Sequence, residues 1–436
     1  MITSWAWRIT LPVVLVAALA AHAARTQSPP CDVICHARLA TRAEAAGNLA
    51  DYQRHVRLVA NAAPSHPGVV FALARAFMHG KQADSAIVAL DRMGRMGDAR
   101  DPNDDSLFHP LRRDARYVAA RNRLLANRLP ILDGKVAFEI DDADFTPEAL
   151  AYDSVGSRFL AGSLARRLIA SVAPDGATTP FITSRPDLLR VVGIHIDAPR
   201  RRLWFATWAP AAGSADSTEL PSQTRLFLAE LPFGRIVKSW TPDGGRPGHL
   251  LNDFVILGDG SLVLTDTERG ALYRLRSPDD TLELFLQPDA NRWSVANGIA
   301  VAPDQQTLYV AFLEGIARVY VASRTLAVVP APDSVSTAAI DGLYWYRGDL
   351  LAVQGIPTMA RVVRYRLSPG GDRIAAGDVL ERGQPVVHEP TTGVIVGSRF
   401  YYIANSQYGR LDERGRLAPR PSGRPTRTAV RVIELR

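Results

Sequence analysis

The chain has 436 residues, 47% hydrophobic and 22% charged, which is the composition of an ordinary globular protein with room for two domains. Its formal net charge is +7, yet only three of the 51 basic residues are lysines and the arginines are spread along the whole chain. A nucleic-acid-binding protein would cluster its positive charge and carry a recognition motif. The sequence shows neither feature and so argues against that class of function.

Residues 1–23 have the pattern of a secretory signal. Arg8 supplies a positive charge, residues 11–20 form an apolar run, and Ala21-His22-Ala23 offers a cleavage site of small residues. The apolar run is shorter than the roughly 20 residues that a membrane-spanning helix needs. We therefore predict an exported protein, secreted or periplasmic, with a retained N-terminal membrane anchor as the alternative.

The chain contains only two cysteines, Cys31 and Cys35. In an oxidising compartment they can form a short-loop disulfide. The alternative is a metal or redox site with His36, but a zinc site would need a second cysteine pair, which the sequence lacks. We predict the disulfide.

Residues 24–134 are predicted to be a small helical domain followed by a linker at 128–134. The helical spacing of apolar residues predicts helices at 49–60, 68–79, 83–93 and 113–127. The middle of this segment resembles a tetratricopeptide repeat. The matching packing positions are Leu73, Ala74, Gly80, Ala83, Ala86 and Leu90. Such modules either bind a partner protein or only pack on a neighbouring domain, and the sequence leaves both open.

Residues 135–436 change to alternating polar and apolar residues with frequent turns, the pattern of an all-β region. A strand-turn-strand unit recurs in it. The copies begin at Pro147, Val191, Leu251, Ala296, Ile340 and Thr391. The spacing leaves room for four strands in each unit, which is the size of a propeller blade. We predict an all-β six-bladed propeller, closed by pairing of residues 429–435 with residues 135–140 so that no sheet edge stays open.

One position in each copy is predicted to face the propeller axis. In blade order it is held by Glu148, Val192, Asn252, Asn297, Asp341 and Thr392. Two carboxylates and two amides around one axis form a set of hard oxygen donors, which suits Ca²⁺, Mg²⁺ or Mn²⁺. The alternative interpretation is that Asn and Asp before Gly only form turns.

Other polar residues near the same rim are candidates for contacting a substrate. They are Asn252, His249, Asp253 and Glu389, with His249 favoured by its position in a glycine- and proline-containing loop. His195 is a weaker candidate, since it alternates with Ile194 and Ile196 as an ordinary strand residue would.

The propeller segment resembles the senescence-marker-protein/gluconolactonase family, with its regucalcin-like lactonases and, more distantly, paraoxonases and strictosidine-synthase-like proteins. The resemblance spans residues 138–436. The motifs that carry it are Pro147-Glu148-Ala149, Leu251-Asn252-Asp253, Ala296-Asn297-Gly298-Ile299 with Pro303-Asp304, and Asp341-Gly342-Leu343.

This resemblance implies a six-bladed propeller with one divalent metal ion on its axis. By position, Glu148, Asn297 and Asp341 match the family's metal ligands, and Asn252 matches a further asparagine that contacts metal or substrate. Calcium is the first expectation, with magnesium, manganese or zinc as alternatives. The sequence departs from the family at Ala149, where glycine is usual, and its second blade lacks a recognisable arginine-rich substrate motif.

These observations predict a metal-dependent hydrolase of a lactone or ester. Asp341, or else Asp253, would take a proton from the attacking water. The sequence contains no G-x-S-x-G elbow, P-loop, dinucleotide fingerprint or H-E-x-x-H motif. Two alternatives remain: a non-catalytic propeller whose surface and helical repeats bind a partner protein or a sugar, and a strictosidine-synthase-like activity that needs no metal ring.

Overall fold

The computed structural model describes residues 31–210, 223–290, 292–412, 414–420, 422–423 and 426–436. The predicted secretory signal lies outside these ranges. Helices come first along the chain, and six antiparallel sheets follow. Within the described ranges, no helix combines the length and the apolar character needed to span a membrane.

The N-terminal part is a small all-α domain whose consecutive helices pack on one another. Its helices are α1 (Val33–Ala45), α2 (Leu49–Ala62), α3 (Pro67–His79), α4 (Ala83–Met96) and α5 (Ala115–Ala126), with 3₁₀ turns at Pro102–Asp104 and Ser106–Leu111. Gly97 ends α4 in the left-handed conformation with φ 95°, as glycine commonly does after a helix. Cys31 and Cys35 are joined by a disulfide, which agrees with the prediction. The tetratricopeptide assignment is not confirmed.

Six sheets form the propeller, as the repeats predict. The first three sheets are β3 (Pro147–Asp153), β4 (Arg158–Ser163), β5 (Ile169–Val172) and β6 (Thr178–Ile182); β7 (Arg190–Asp197), β8 (Arg202–Ala209), β9 (Gln223–Glu230) and β10 (Arg235–Trp240); and β11 (Leu251–Ile256), β12 (Leu262–Asp266), β13 (Ala271–Leu275) and β14 (Glu283–Leu286). In each of these sheets the strands are neighbours in chain order, and the first strand is the innermost.

The fourth sheet repeats this order, and the last two contain strands from elsewhere. They are β15 (Ile299–Val301), β16 (Thr307–Phe312), β17 (Gly315–Tyr320) and β18 (Thr325–Val328); β19 (Ile340–Tyr346), β20 (Asp349–Gln354), β21 (Arg361–Leu367) and β22 (Ile374–Arg382), with β1 (Ile131–Leu132) beside β22; and β23 (Gly393–Val396), β24 (Arg399–Ile403), β25 (Ala429–Glu434) and β2 (Lys135–Glu139). Two further 3₁₀ turns lie at Pro242–Gly245 and Tyr408–Arg410.

The ring closes in the sixth sheet, where the first propeller strand meets the last. Strand β2 pairs antiparallel with β25, with Lys135 opposite Val432. This confirms the predicted composite blade. Closure places β25 between β24 and β2, so β25 is not an edge strand that another chain could extend.

Apolar side chains fill the wedges between neighbouring sheets and form the propeller core. Tyr309 of the fourth sheet is 2% exposed and packs on Trp345 of the fifth sheet, with ring centroids 5.6 Å apart. Its hydroxyl donates to the carbonyl of Gly371 across 2.8 Å. Because the ring of Tyr309 is buried and its hydroxyl is hydrogen bonded, this residue fixes the relative position of the two sheets.

The helical domain packs on the end of the propeller where the innermost strands begin. Ser336 Oγ donates to the carbonyl of Ser65 across 2.7 Å, and Ser65 and Thr337 share a hydroxyl contact of 3.1 Å. Leu313, in the turn between β16 and β17, packs against the α1–α3 apolar cluster. Thr358, between β20 and β21, donates to Asp98 across 2.7 Å. The domain therefore lies over the fourth and fifth sheets, at the rim that carries the predicted axial residues.

Candidate functional site

Backbone irregularities mark the axial position in four of the six sheets. The pairing of the two innermost strands shifts register at Glu148, Val192, Asn252 and Asp341. In the fourth and sixth sheets the corresponding residues come just before the innermost strand, which starts at Ile299 and Gly393. A β-bulge re-aims a side chain out of the regular alternation. In these four sheets the shared sequence position is therefore also a shared backbone feature.

Three of the six sheets have a second irregularity in common. Two positions before Glu148, Asn297 and Asp341 the backbone is left-handed, at Thr146 (φ 44°), Val295 (φ 54°) and Ala339 (φ 55°). Side chains disfavour this conformation, β-branched ones above all, at a cost of about 1–3 kcal/mol each. The strain occurs in the three sheets that supply the ligands implied by the family resemblance.

The fourth and fifth sheets approach each other closely at the axis. A Cβ atom on Gly298 would lie 2.5 Å from the carbonyl oxygen of Asp341, so only glycine fits beside Asn297. At this level Asn297 Nδ2 donates to Asp341 Oδ1 across 3.1 Å. Two of the predicted metal ligands are thus in direct contact.

The carboxyls of Glu148 and Asp341 are poorly compensated. Burial, together with the negative charges of Asp341 and Glu389, raises the pKa of Glu148 well above its usual range. Burial raises the pKa of Asp341 to about 6, opposed by the hydrogen bond from Asn297 and reinforced by the charge of Asp253. Neither group has an ion pair with a described residue. Like charges held close together and away from water favour protonation or a bound cation.

Two buried oxygens at this position have no hydrogen-bond partner among the described residues: Glu148 Oε2 and Asn297 Oδ1. Leaving such atoms unsatisfied costs about 1–3 kcal/mol each. Carboxylate and amide oxygens are the ligands that hard divalent cations take. The residues present therefore fit a Ca²⁺- or Mg²⁺-like ion.

A different type of metal centre is not supported. Within the described part of the chain, no three side chains of the His, Cys, Asp or Glu types converge as a metal-binding group. The predicted set contains two carboxylates and relies on amide oxygens for the rest. Such a set is suited to an oxygen-coordinated ion and not to one bound by thiolates or several imidazoles.

Asn252, the fourth predicted ligand, is held in the third sheet at the same rim. Its Nδ2 donates to Thr267 Oγ1 across 3.0 Å, and Thr267 Oγ1 donates to the carbonyl of Ala296 across 2.6 Å. This chain of bonds links Asn252 to the residue that precedes Asn297. The structure thus connects Asn252 to the fourth sheet but gives it no direct contact with the carboxylates.

Asp253 and His195 form a hydrogen-bonded pair beside a small cavity at the propeller axis. Asp253 Oδ1 lies 2.8 Å from His195 Nε2 and accepts the Phe254 N–H, while Oδ2 accepts the Ile299 N–H across 3.3 Å. The His195 ring packs edge-on against Phe254. His195, Asp253 and Tyr344 line the same small cavity. His195, the weaker sequence candidate, is therefore placed at the axis.

Glu389 also lies near the axial carboxylates, since its charge raises the pKa of Glu148. It accepts the Gly409 N–H across 3.3 Å and lies 3.7 Å from His388 Nε2. The structure therefore brings this predicted substrate-binding residue to the site. Its backbone is left-handed, with φ 53°.

His249 lies elsewhere in the third sheet. It is 1% exposed, its Nδ1 hydrogen bonds to Asp266, its Nε2 is 3.5 Å from Asp243, and its ring packs edge-on against Tyr273. These contacts are with the second and third strands and a 3₁₀ turn. The structure does not bring His249 to the axial residues, so the substrate-binding role predicted from its loop position finds no support in its contacts.

Two tyrosines that were not predicted from the sequence, Tyr344 and Tyr408, complete the site. Burial and the nearby charges of Asp253 and Asp341 raise the pKa of Tyr344 well above its usual range. Burial and the charges of Glu389, Asp341 and Glu148 do the same for Tyr408. Both phenols stay protonated at neutral pH. The position of Tyr344, three residues after Asp341 on the same strand, was an available signal. Tyr408 lies in a 3₁₀ turn, where the repeat offers no such signal.

Comparisons with known proteins add a likeness of fold. No protein-family model matches the sequence, and no curated protein sequence matches it either. Among solved structures, the chain is similar to a gluconolactonase from Xanthomonas campestris, with 16% identity, a TM-score of 0.45, and coverage of 71% of this chain and 93% of that one.

The chain is also similar to two solved structures that have other names. Regucalcin from Agrobacterium tumefaciens, a calcium-binding protein, has 15% identity, a TM-score of 0.48, and coverage of 69% of this chain and 94% of that one. Virginiamycin B lyase from Staphylococcus aureus has 15% identity, a TM-score of 0.43, and coverage of 66% and 88%. At such low identity the likeness concerns the fold and says nothing about the reaction.

Proposed function

We propose that this protein is a divalent-metal-dependent hydrolase of a lactone or ester, with the metal ion held on the propeller axis by Glu148, Asn297, Asp341 and Asn252. One observation carries the proposal. Glu148 Oε2 and Asn297 Oδ1 are buried without a hydrogen-bond partner among the described residues, and the pKa values of the Glu148 and Asp341 carboxyls are raised. A bound cation would satisfy the oxygens and stabilise the ionised carboxylates. Calcium is the first candidate because all four side chains supply oxygen.

When bound, such an ion polarises a carbonyl and stabilises negative charge that develops on its oxygen. The chain's own residues supply the other functions. Tyr344 and Tyr408 keep their protons and can donate hydrogen bonds to a substrate oxygen. Glu389, on the same rim, can accept hydrogen bonds from substrate hydroxyls. A ring ester with hydroxyl groups matches this combination of donors and acceptors.

The proton acceptor is assigned from the contacts of Asp253. Both of its oxygens already accept backbone N–H groups, and one of them faces His195 Nε2. Asp253 is therefore suited to orient the imidazole and stabilise its protonated form, and His195 to take a proton from water through Nδ1. This refines the sequence-based assignment, in which Asp341 or Asp253 took the proton. Asp341 is assigned to the metal.

Metal analysis of the purified protein and a panel of lactones and esters test the proposal. The wild type should bind one divalent ion per chain and hydrolyse at least one substrate, with activity lost in EDTA. His195→Gln should lower kcat about 10²-fold or more without changing metal content, whereas Asp378→Asn, an exposed change in the fifth sheet, should change neither. A protein that binds no divalent ion, or whose turnover survives both EDTA and His195→Gln, would overturn the proposal.

A second candidate function is a non-catalytic propeller that binds a partner protein or a sugar. The position of the helical domain on the site-bearing rim favours it, because that arrangement combines both domains into one surface. Bound metal without turnover on the panel would support this candidate. Metal-independent condensation of an amine with an aldehyde would instead indicate strictosidine-synthase-like activity.

The proposed location is outside the cytoplasm, secreted or periplasmic. The Cys31–Cys35 disulfide supports it, because such bonds persist in oxidising compartments. Mass spectrometry of the N-terminus from fractionated cells tests it. A mature chain that begins near residue 24 in the soluble exported fraction is expected, and an uncut chain in the membrane fraction would indicate the retained anchor.

A further inference from the structure

A cavity of about 110 Å³ lies between the helical domain and the fifth sheet. Its polar walls come from Arg95 and Asn127 on the helical side and from Arg361 and Arg382 on strands β21 and β22, with Gly97 and Val363 beside them. A cavity of this size exceeds the space for one water molecule several-fold. It is separate from the axial site.

Arg361 is buried in this wall without an ion-pair partner among the residues that the structure describes. It is 5% exposed, and its Nε donates to the neutral side chain of Gln354 across 2.7 Å. Its guanidinium packs over Gly97, where any Cβ atom would overlap Nη1. No carboxylate oxygen among the described residues lies within ion-pair distance. A buried arginine is normally paired with an anion.

Arg382 is the cross-strand neighbour of Arg361 in the pairing of β21 with β22. Its hydrogen bonds also go to neutral acceptors, from Nε to the carbonyl of Leu129 across 3.1 Å and from Nη1 to Asn127 Oδ1 across 3.0 Å. Like charges directly opposite on adjacent strands destabilise a sheet. Burial and the charge of Arg382 lower the pKa of Arg361 to about 10, although the charges of Tyr365 and Asp98 oppose this shift.

Nearby carboxylates are committed to other groups. Asp98 accepts from Thr358 Oγ1 and from the Arg100 N–H, and burial raises its pKa. Asp91 pairs with Arg95 at the rim of the cavity. Asp98 acts on Arg361 through its charge but forms no ion pair with it. Among the described residues, Arg361 and Arg382 therefore have no carboxylate within ion-pair distance.

We propose that this interdomain cavity is a binding site for a small oxyanion, held by Arg361 and Arg382. Planar guanidinium groups bind phosphate, sulfate and carboxylate through paired hydrogen bonds. Asn127 orients Arg382, and its Nδ2 is anchored to the carbonyls of Gly94 and Asp98. Because α4, the residue that follows α5 and the fifth sheet all border the cavity, the anion joins the helical domain to the propeller.

Thermal unfolding and calorimetry of the mature two-domain chain in EDTA, titrated with inorganic phosphate, test this proposal independently of the axial metal. Sodium chloride holds the ionic strength constant. Saturating phosphate should raise the Tm by about 2–4 °C. Arg382→Gln should weaken phosphate binding about tenfold or more, and Arg361→Gln should do the same if it folds. Arg399→Gln, an exposed control in the sixth sheet, should leave binding unchanged.

Sulfate and acetate arms identify the anion class, since preference for acetate indicates a carboxylate ligand and preference for the tetrahedral ions indicates phosphate or sulfate. Failure of all three anions to bind would overturn the proposal. An equal shift with chloride alone, or equal weakening by Arg399→Gln and Arg382→Gln, would overturn it as well.

Discussion

Asn297 on the fourth sheet donates a hydrogen bond from Nδ2 to Oδ1 of Asp341 on the fifth sheet across 3.1 Å. This bond orients the amide so that its Oδ1, which has no partner among the described residues, is free to bind a cation. Both residues follow a left-handed backbone position. The two sheets are therefore joined at the point where a charge-compensating ligand is needed.

Asp341→Asn is expected to weaken binding of a divalent ion about 100-fold, or about 2.7 kcal/mol, because it removes one of two carboxylates. Calorimetric titration of the EDTA-treated protein with Ca²⁺ measures this change. In the absence of metal, the Tm of the variant should be at least as high as that of the wild type, because the substitution removes a poorly compensated charge. Asp378→Asn is the matched control, and equal affinity in the wild type and Asp341→Asn would refute the ligand assignment.

Metal affinity is expected to rise as the pH rises through about 6. Protons compete with the ion for Asp341, whose pKa is raised to about 6, and for Glu148, so that binding releases protons below that pH. Titrations at pH 5, 6, 7 and 8 in buffers of different ionisation enthalpy measure both effects. Affinity that stays constant between pH 5 and 7 would contradict the proposed carboxylate ligands.

Glu314→Gln is expected to flatten the pH dependence of stability. Burial raises the pKa of Glu314 to about 7, although Ser294 donates two hydrogen bonds to it. The folded state therefore holds a proton that the unfolded state releases above about pH 4.5. The stability that Glu314 contributes is fully present below about pH 4.5 and is lost as the pH rises through about 7. We expect the free energy of unfolding, measured with urea, to fall between pH 5 and pH 8 by about 2–3 kcal/mol more in the wild type than in Glu314→Gln.

The exposed Glu434 provides the control for this measurement, because Glu434→Gln should keep the wild-type slope. The axial carboxyls contribute in the same direction in both proteins, so the difference between wild type and Glu314→Gln isolates Glu314. Equal slopes in those two proteins would contradict the raised pKa.

Arg431→Met is expected to destabilise the fold by about 3–5 kcal/mol. Arg431 on β25 donates two hydrogen bonds to Glu381 on β22, at 2.9 and 2.8 Å, and the two side chains are 6% and 0% exposed. Loss of the Arg431 guanidinium would leave the buried carboxylate of Glu381 without its ion-pair partner. Denaturant unfolding should show the loss, and Glu381→Gln in the same chain should restore part of it. Arg399→Met, which breaks an exposed pair, should cost about 1 kcal/mol or less.

The ring and its axial positions were predictable because they repeat. Glu148, Asn252, Asn297 and Asp341 occupy one position in a recurring unit, and each sits at or beside an irregularity at the start of an innermost strand. The closing strands were predictable because a ring of blades must leave no sheet edge open. Local pattern was sufficient for these features because each blade is built from neighbouring segments.

Features that depend on distant neighbours were not predictable. His195 has the spacing of a plain strand residue, and only its contact with Asp253, 58 residues away, places it in the site. The loop position of His249 suggested contact with a substrate, but in the structure its side chain is enclosed by Asp266 and Tyr273. Arg361 and Arg382 face one another only because β21 pairs with β22 and the helical domain covers both.

The closing sheet also determines when the propeller can be complete. Arg431 Nη2 donates to the carbonyl of Gly134, and these residues are 297 positions apart in the chain. A chain that emerges from its N-terminus must keep β2 unpaired until residues 429–434 have been made. Contacts so distant in sequence form slowly and leave exposed strands open to aggregation. Changes near the C-terminus should therefore reduce the yield of soluble protein more than equally conservative changes in the middle sheets.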